Sequence, residues 1–414
     1  MSTKAFDAIV VGAGPAGSTA ALVLARGGAR VALVDKATFA RDKACGDLVG
    51  PRALALMTSL GLTPPDGRRV GEMLVVGPTG RRVVLPAREG RTYPGHGLAV
   101  RRERFDAWLR EQAIAAGAEP ITGRVESARD GSVDLADGPQ LVADVLIGAD
   151  GATSRVATDA GLVDPTAVLW GFAQRTYVEQ SVDRPAIVLW DDDHHLGFPG
   201  YGWIFPGEDG SANIGLGLGL RAHRSTASRA VTQFPAFCEH LRRIGLLSAP
   251  VDARRLGGWL KMGMVGTVPA RDRTFLVGDA AGLVNPLQGE GIAPAMTSAA
   301  LAATAILAGP GTAAAHYRGL LGSGPGRYAA AAAPLHHAAI NGSPRRVALL
   351  GRALTLPTLS RVIAPMWALS WNDLLDGAPP GATTSLSRVA TATGRFVMRS
   401  SSVAGHLRAD LADR

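Results

Sequence analysis

Two glycine-rich segments, far apart in this 414-residue chain, have the residue types and spacing needed to bind a phosphorylated ligand. The first glycine-rich segment follows a mostly apolar stretch, 5–11, which is typical of a buried parallel strand. Gly12, Gly14 and Gly17 then form G-x-G-x-x-G ahead of an apolar helical stretch. Gly12 allows a tight turn, Gly14 lets the backbone approach a pyrophosphate, and Gly17 lets the helix pack closely on the strand. The phosphate charge then meets the free N–H groups at the helix N-terminus.

An acidic residue completes this first segment. A second predicted strand, 30–34, ends at Asp35. An acid at that distance from the glycines suits the ribose hydroxyls of an adenine dinucleotide. Strand, glycine loop, helix, strand and acid therefore stand in the order that a dinucleotide site requires, and a chance glycine loop explains them less well.

The second glycine-rich segment, 275–282, continues through Asn285 to the Gly289-Glu290-Gly291-Ile292 run. We predict a short strand over 273–277, so that Asp279 follows its end and can hold a ribityl hydroxyl. An alanine-rich helix is predicted over 293–307, with its N-terminus facing a flavin ring and stabilising negative charge on the reduced pyrimidine edge. The two segments, in this order, serve opposite ends of one long cofactor and together indicate FAD.

With these residues in place, the chain resembles the FAD-dependent family built on the para-hydroxybenzoate hydroxylase fold, and within it the geranylgeranyl reductase-like group. The similarity covers about residues 5–310. Four segments carry it: GAGPAG at 12–17, RDKACGD at 41–47, IGADGATSR at 147–155, and the segment 278–292. A softer match is 100–109, with Arg102 four residues before Asp106.

The resemblance implies an FAD site drawn from all these segments. In the family, the Asp of the Asp-Gly motif lies near the flavin pyrophosphate, which here is Asp150, and the arginine at the position of Arg102 contacts the cofactor. The cofactor-binding residues expected on this basis are Gly12, Gly14, Gly17, Asp35, Lys36, Cys45, Gly46, Arg102, Asp150, Gly151, Asp279, Pro286, Gly289, Gly291 and Ile292.

Candidates for the chemistry itself lie on one predicted strand. The segment 201–206, YGWIFP, resembles the Y-x-W-x-F-P signature of the reductase group. Tyr201 and Trp203 are two residues apart, so on a strand they share a face, which Phe205 joins. That face could form an aromatic wall for an apolar substrate, although half-buried core strands show the same alternation. Flavin halogenases carry a related W-x-W-x-I-P, from which this sequence departs at Tyr201 and Phe205.

Cys45 is the other catalytic candidate, because reductase relatives place a cysteine here close to flavin and substrate. Many of them continue Cys-Gly-Asp with Gly-Leu, whereas this chain has Leu48-Val49. A bulky leucine thus stands beside the ring, and the string at 46–51 also resembles the G-E-L-L-Q-P of squalene-type epoxidases. Cys45 is equally compatible with a small buried apolar residue of the core.

The sequence therefore predicts an FAD oxidoreductase acting on a carbon–carbon double bond of an apolar terpenoid- or polyketide-like molecule. Our first interpretation is a monooxygenase, an epoxidase or hydroxylase in which NAD(P)H supplies electrons and O₂ one oxygen atom. The alternative is a geranylgeranyl reductase-like enzyme that reduces isoprenoid double bonds with NAD(P)H, with Cys45 or Tyr201 as proton donor. A non-catalytic flavin scaffold would have no use for the aromatic segment beside the two FAD motifs. A nicotinamide dehydrogenase would leave the Gly-Asp segment at 278–279 unused.

Composition excludes other classes of protein. Hydrophobic residues are 47% and charged residues 19%, as in a globular enzyme, and the net charge of +8 comes with no nucleic-acid recognition motif. Only Cys45 and Cys238 are present, so we expect no disulfide framework and a cytoplasmic location, with no signal peptide and no membrane span. The run 191–195, DDDHH, reads as a polar hairpin turn, and we expect no metal site.

The predicted fold class is α/β: a Rossmann-type FAD-binding domain, an interleaved antiparallel-sheet substrate domain and a helical C-terminal cap. The FAD-binding domain is expected at 1–75, 95–160 and 270–310, the substrate domain at 76–94 and 161–269, and the cap at 311–414. Strands are expected at 73–76, 82–85, 186–190, 201–206 and 213–220, and a helix at 225–247.

The tail raises a second expectation, contact with a membrane surface. Arginines alternate there with leucines and tryptophans between residues 345 and 371, a pattern that suits an interfacial helix. The competing interpretation is a cap packed on the FAD domain with solvated arginines, because Pro357 and Pro365 would interrupt any long amphipathic helix.

Overall fold

In the computed structural model of the chain, residues 3–189, 200–220, 227–341 and 344–378 are described. They form strands and helices. The strands are β1 (Thr3–Val11), β2 (Val31–Asp35), β3 (Leu48–Val49), β4 (Arg68–Val70), β5 (Met73–Val76), β6 (Arg82–Leu85), β7 (Gly97–Ala99), β8 (Glu119–Thr122), β9 (Val125–Arg129), β10 (Ser132–Leu135), β11 (Gln140–Gly148), β12 (Leu169–Val178), β13 (Ala186–Val188), β14 (Tyr201–Pro206), β15 (Ala212–Leu220), β16 (Leu256–Met262), β17 (Ala270–Arg271) and β18 (Thr274–Leu276). The helices are α1 (Pro15–Arg26), α2 (Pro51–Ser59), α3 (Arg102–Ala115), α4 (Arg155–Asp159), α5 (Ala227–Arg243), α6 (Ile292–Ala308), α7 (Ala313–Ser323), α8 (Pro325–Asn341), α9 (Pro344–Leu354) and α10 (Pro357–Trp371).

The glycine loops leave the edge of a largely parallel sheet. Its strands lie in the order β17-β18-β11-β1-β2-β8, with β10 and β9 attached to β11. Val11 pairs with Gly148 on one side and with Val34 on the other, so the turns after β1, β2 and β11 open at the same edge. Ligands of open α/β sheets bind at this edge. α1, α3 and α6 cover the sheet, and their buried faces join its strands in one core.

A second sheet of seven strands supplies the opposite wall, in the order β16-β12-β15-β14-β13-β5-β6. The predicted strands at 73–76, 82–85, 201–206 and 213–220 belong to it. The sheet is antiparallel except for β5 and β13, which pair in parallel. Two of its strands, β12 and β16, had not been singled out in the sequence, because their apolar residues are interspersed with buried Arg175 and Lys261.

The C-terminal segment is helical through α10, and three of its prolines act as helix starts. Pro325, Pro344 and Pro357 are each the first residue of a helix, where the missing N–H costs nothing. The expectation that Pro365 interrupts a helix is wrong, because Pro365 lies inside α10. α10 packs Trp367 and Trp371 against the strands of the second sheet.

The Rossmann-type sheet, the second sheet and the helical C-terminal segment of the predicted fold class are thus all present. The exact division of the chain into three domains stays a prediction. Among the helices of the described ranges, none is long and apolar enough to cross a membrane.

Candidate cofactor and substrate site

One continuous cavity of about 1640 Å³ lies between the glycine loops of the parallel sheet and the inner face of the second sheet. Its volume exceeds that of a typical small-ligand pocket, ~300–1,000 Å³, and leaves room for a dinucleotide together with a second molecule. Every predicted site residue except Gly17 lines it, including both catalytic candidates of the aromatic strand. That each of them binds FAD stays a prediction.

The three glycines of the first loop differ in what surrounds them. Gly12 has φ +101°, and a Cβ there would lie 2.3 Å from the Ala149 carbonyl oxygen. A Cβ on Gly17 would lie 1.7 Å from the Gly12 carbonyl oxygen, so this glycine serves the packing of α1 on β1. A Cβ on Gly14 would meet only the Arg41 guanidinium, at 3.4 Å. The protein itself therefore leaves Gly14 open, as a backbone cradle for a pyrophosphate would be.

Asp35 and Lys36 line the cavity where β2 ends. The Asp35 carboxylate accepts the Ala13 N–H at 2.7 Å and the Ala37 N–H at 2.8 Å, one on each oxygen. A carboxylate has lone pairs to spare after two such bonds. Asp35 can therefore hold the glycine loop in place and still accept a ribose hydroxyl.

Asp150 also lines the cavity, but its oxygens point into its own loop. They accept hydrogen bonds from Ser154 Oγ at 2.5 Å and from the Arg155 and Val156 N–H groups at 2.6 and 3.1 Å. Burial raises the pKa of Asp150 above its usual range, and these bonds, which satisfy the first amides of α4, partly oppose that rise. The direct effect of Asp150 is to fix the shape of the Asp150-Gly151 turn.

Arg102 is buried, and its charge is satisfied within the protein. Its Nε and Nη2 atoms donate to the two oxygens of Asp106 at 2.7 and 2.8 Å, one helical turn further along α3. Arg41 lies 3.5 Å from the same carboxylate. The structure thus gives Arg102 a bidentate ion pair beside the cavity, and a contact with FAD stays a prediction.

A hydrogen-bonded network that sequence reasoning missed positions Cys45. Asn213 Nδ2, on β15, donates to the Cys45 carbonyl at 2.8 Å and to Asp47 Oδ2 at 2.9 Å, while Asn213 Oδ1 accepts from Trp203 Nε1 at 2.9 Å. Tyr177, on β12, donates to Asp47 at 2.6 Å. One amide side chain therefore holds the cysteine loop and the aromatic strand together. Asp47 was quoted only as part of a motif, and nothing in the sequence places Asn213 near it.

Tyr201, Trp203 and Phe205 share one face of β14, as strand geometry predicts, and their role as a wall for an apolar substrate stays a prediction. The ring centroids of Tyr201 and Trp203 are 6.1 Å apart, and those of Trp203 and Phe205 are 6.0 Å apart. All three line the cavity, and Leu48 packs against the same cluster. A Cβ on Gly46 would lie 2.8 Å from the Phe205 ring, so the cysteine loop approaches this wall closely.

The comparisons with known proteins agree with this arrangement. Residues 5–316 match the family model described as an FAD binding domain. The chain belongs to this family. The family is defined by FAD binding, and the matched range contains both glycine-rich segments that line the cavity.

Two curated relatives are reductases. The chain is 35% identical to a menaquinone reductase of Mycolicibacterium smegmatis over 386 residues. The aligned region covers 88% of each protein. It is 34% identical over 323 residues to a geranylgeranyl diphosphate reductase of Rhodobacter capsulatus, covering 73% of this chain and 75% of the relative. The protein is therefore an FAD-dependent oxidoreductase of the geranylgeranyl reductase-like group.

Solved structures share the fold. A geranylgeranyl bacteriochlorophyll reductase-like protein from Thermoplasma acidophilum superimposes with a TM-score of 0.71 at 21% identity, covering 94% of this chain and all of the other. A flavin-dependent brominase superimposes with a TM-score of 0.67 at 18% identity, covering 96% and 98%. The predicted fold class is confirmed, and FAD as cofactor is confirmed by the family.

The second glycine segment brings Asp279 and the start of α6 to the cavity. Asp279 lies in a short 3₁₀ helix, Gly278–Ala281, with Lys43 Nζ 3.6 Å from its carboxylate. Pro286, Gly289, Gly291 and Ile292 line the same region. The Glu290 side chain caps the N-terminus of α6, because its Oε1 accepts the Ala293 N–H at 2.7 Å. The helix end that we predicted to stabilise negative charge on the flavin is therefore already contacted by the carboxyl group of Glu290. We had assigned no role to this residue from the sequence.

We expect Asp279→Ala to weaken FAD binding by about 1–3 kcal/mol, the cost of losing a charged hydrogen-bond partner. Fluorescence titration of the stripped protein with FAD measures this change. Asp137→Ala, at an exposed turn, is the matched control and should bind FAD as the unmodified protein does. A Kd for Asp279→Ala equal to that of the control would show that Asp279 does not hold the ribityl chain.

In the described part of the chain, no group of three or more His, Cys, Asp or Glu side chains is placed to hold a metal ion. The predicted polar hairpin at 191–195 lies outside the described residues.

Proposed function

We propose that this enzyme reduces a carbon–carbon double bond of an isoprenoid chain, with NAD(P)H as the source of electrons. The observation that carries the proposal is the single cavity joining the FAD loops to an apolar chamber, with Cys45 at the junction. The two reductase relatives support this alternative over the monooxygenase that we put first from the sequence.

The chamber suits a long apolar substrate. Tyr201, Trp203 and Phe205 form one wall, and Met366 and Ala368 of α10 line it from the C-terminal segment. Other side chains of the chamber are also apolar: Leu48, Val70, Met73, Leu85, Ile187, Leu287 and Leu369. Such a lining excludes water and gives an isoprenoid chain contact along its length.

FAD, when bound, supplies the two-electron reduction. Gly14 and Asp279 would hold its pyrophosphate and ribityl parts, and Asp35 its ribose. The Asn213 network keeps Cys45 and Trp203 in a fixed relation at the junction of the two halves of the cavity. The role of the protein is therefore to orient the alkene, exclude water and deliver a proton.

Charge on the chamber side favours a substrate whose polar end is uncharged. Arg52 and Arg88 line the cavity together with Asp373 and Asp376 of the segment after α10, so two acids accompany two arginines. Arg52 already donates to the Asp373 and Asp376 carbonyl oxygens. A diphosphate needs a concentration of arginine, lysine or free backbone N–H groups. An uncharged quinone head group, such as that of menaquinone, needs no such concentration of positive groups.

A monooxygenase remains the second candidate, because Leu48 puts a bulky side chain on the aromatic cluster where reductase relatives carry a small one. Mass spectrometry of the product decides between the two. We expect turnover of an isoprenoid quinone with NAD(P)H under ¹⁸O₂ to add two hydrogen atoms and no labelled oxygen. A labelled oxygen atom in the product would establish the monooxygenase, and preference for an isoprenoid diphosphate over the quinone would refute the uncharged head group.

We further propose that the hairpin of α9 and α10 docks on an anionic lipid surface, where such substrates reside. Leu349 and Leu350 are 67% and 53% exposed, and Leu356 and Leu359 are also exposed. Between Glu290 and Asp373 the sequence contains no acidic residue. Exposed leucines on a segment without negative charge complement an anionic bilayer. The opposite side of α10 lines the substrate chamber, so a substrate dissolved in the bilayer would have a short path from the membrane to the chamber.

Sedimentation with vesicles tests this surface. We expect binding to phosphatidylglycerol-containing vesicles that falls as salt rises, and little binding to phosphatidylcholine alone. The double variant L349Q/L350Q should lose most of the binding, whereas V231Q, an equally apolar exposed position on α5, should not. Full recovery in the supernatant at low salt would rule the docking surface out.

A further inference from the structure

Glu290 is a carboxyl group set into the wall of the cavity. It lies between Gly289 and Gly291, where α6 begins, and lines the same region as Tyr201. Its Oε1 accepts the Ala293 N–H at 2.7 Å, which fixes the side chain against the first turn of the helix. A Cβ on Gly289 would lie 3.6 Å from the Tyr201 hydroxyl, so the backbone beside Glu290 is close to the aromatic wall.

The surroundings of Glu290 favour its neutral form. The ionisable side chains that face it are Asp279 from the 3₁₀ helix, Asp373 after α10, Tyr201 from β14 and Tyr328 from α8. Burial, together with the negative charges of Asp373 and Asp279, raises the pKa of Glu290 to about 7, against the opposing effect of the Ala293 and Ile292 N–H groups. The carboxyl of Glu290 therefore holds its proton closer to neutral pH than an exposed glutamate does.

The two groups that the sequence suggested as proton donors are less suited. Tyr201 donates its hydroxyl hydrogen to the Gln288 carbonyl oxygen, so giving it up would leave that buried oxygen without its partner. Burial raises the pKa of both the Tyr201 phenol and the Cys45 thiol above their usual ranges, which makes them weaker acids. A general acid works best when its pKa lies near the working pH.

We propose that Glu290 donates the proton that completes reduction of the alkene. The proposal rests on the reductase function proposed above. Its basis is the place of the carboxyl on the cavity wall, between the start of α6 and the aromatic strand.

The reaction balances as follows. With reduced FAD held by the glycine loops, one hydrogen and two electrons would pass from the cofactor to one alkene carbon, and the cofactor would be oxidised. The electron pair of the double bond forms a C–H bond at the other carbon while the O–H bond of Glu290 breaks. Glu290 is left as a carboxylate, which the solvent protonates before the next turnover, and NAD(P)H restores the reduced cofactor.

The test is a single turnover of dithionite-reduced holoenzyme with an isoprenoid quinone, followed across neutral pH. We expect the rate of alkene reduction in the unmodified enzyme to fall as pH rises through about 7, because only the protonated carboxyl donates. E290Q should retain FAD but lose about 100-fold or more in rate, with no such pH dependence. E111Q, at an exposed position on α3, is the matched control and should behave like the unmodified enzyme.

Two further measurements separate Glu290 from its neighbours. Burial also raises the pKa of Asp373 to about 7, so D373N is needed. Because D373N removes a negative charge facing Glu290, it should shift the fall in rate to lower pH and not abolish it. Infrared spectra of the holoenzyme, which need no turnover, should show protonated-carboxyl absorption that titrates near neutral pH, with one component missing in E290Q and a different one missing in D373N.

Three results would overturn the proposal. E290Q with an unchanged rate and pH profile would leave the reductase function standing and remove Glu290 from it. Loss of the pH dependence in D373N but not in E290Q would assign the donor to Asp373. Failure of the unmodified enzyme to reduce any isoprenoid double bond would refute the proposed function itself, and Glu290 as a donor with it.

Discussion

A Gly14→Val protein should purify folded and colourless. In the chain itself the substitution meets little resistance, because Gly14 has an extended backbone, with φ −76° and ψ −170°, and an added Cβ would touch only the flexible Arg41 side chain. A bound pyrophosphate, however, needs the backbone at this position within direct reach. The loss should therefore fall on FAD retention, measured as the ratio of flavin to protein absorbance, and not on the far-ultraviolet circular dichroism spectrum.

Two other glycines serve as controls for this experiment. Gly17→Val should fail to fold, since its Cβ would lie 1.7 Å from the Gly12 carbonyl oxygen. Gly319→Val, on the exposed side of α7 with no atom within 4 Å of an added Cβ, should keep both fold and flavin. A yellow Gly14→Val protein with full FAD content would contradict the placement of the cofactor on this loop.

Arg102→Ala should lower the free energy of unfolding by about 3 kcal/mol, the low end of the range for breaking a buried ion pair. The substitution leaves the fully buried Asp106 carboxylate with only Arg41, 3.5 Å away, as a cationic partner. Chemical denaturation in saturating FAD measures the effect. Arg242→Ala, which breaks the exposed pair with Glu239, should cost no more than about 1 kcal/mol.

The double variant Arg102→Met/Asp106→Leu tells the two roles of Arg102 apart. Replacing both charges by apolar side chains should restore most of the stability. If FAD affinity then remains low, Arg102 contacts the cofactor as the family resemblance implies. A double variant as unstable as Arg102→Ala would show that the ion pair is not the source of the effect.

The sequence was most informative where function depends on local spacing. Gly12, Gly14 and Gly17 have distinct surroundings that follow from their positions in one turn. Tyr201 and Trp203 share a face because strand geometry requires it. In both cases the interacting residues lie within a few positions of each other.

Contacts between distant segments were beyond the reach of the sequence. Asn213 binds both Trp203 and Cys45, which lies 168 residues before it in the chain, and no local pattern marks an asparagine for that contact. Glu290 was visible in the sequence, but its burial and its neighbour Asp373 come from the fold. Pro365 was misjudged because tertiary packing of α10 against the second sheet outweighs the local cost of a proline within a helix.

Anaerobic reoxidation of the flavin tests the central claim most directly. Holoenzyme reduced by NAD(P)H under argon is mixed with an isoprenoid quinol, whose head group is already reduced and accepts no electrons from the flavin. The flavin absorbance is followed together with the saturation of the chain. A reductase should recover its oxidised flavin spectrum without oxygen, forming one saturated bond for each flavin reoxidised. A flavin that stays reduced until O₂ is admitted, with oxygen then entering the product, would contradict alkene reduction.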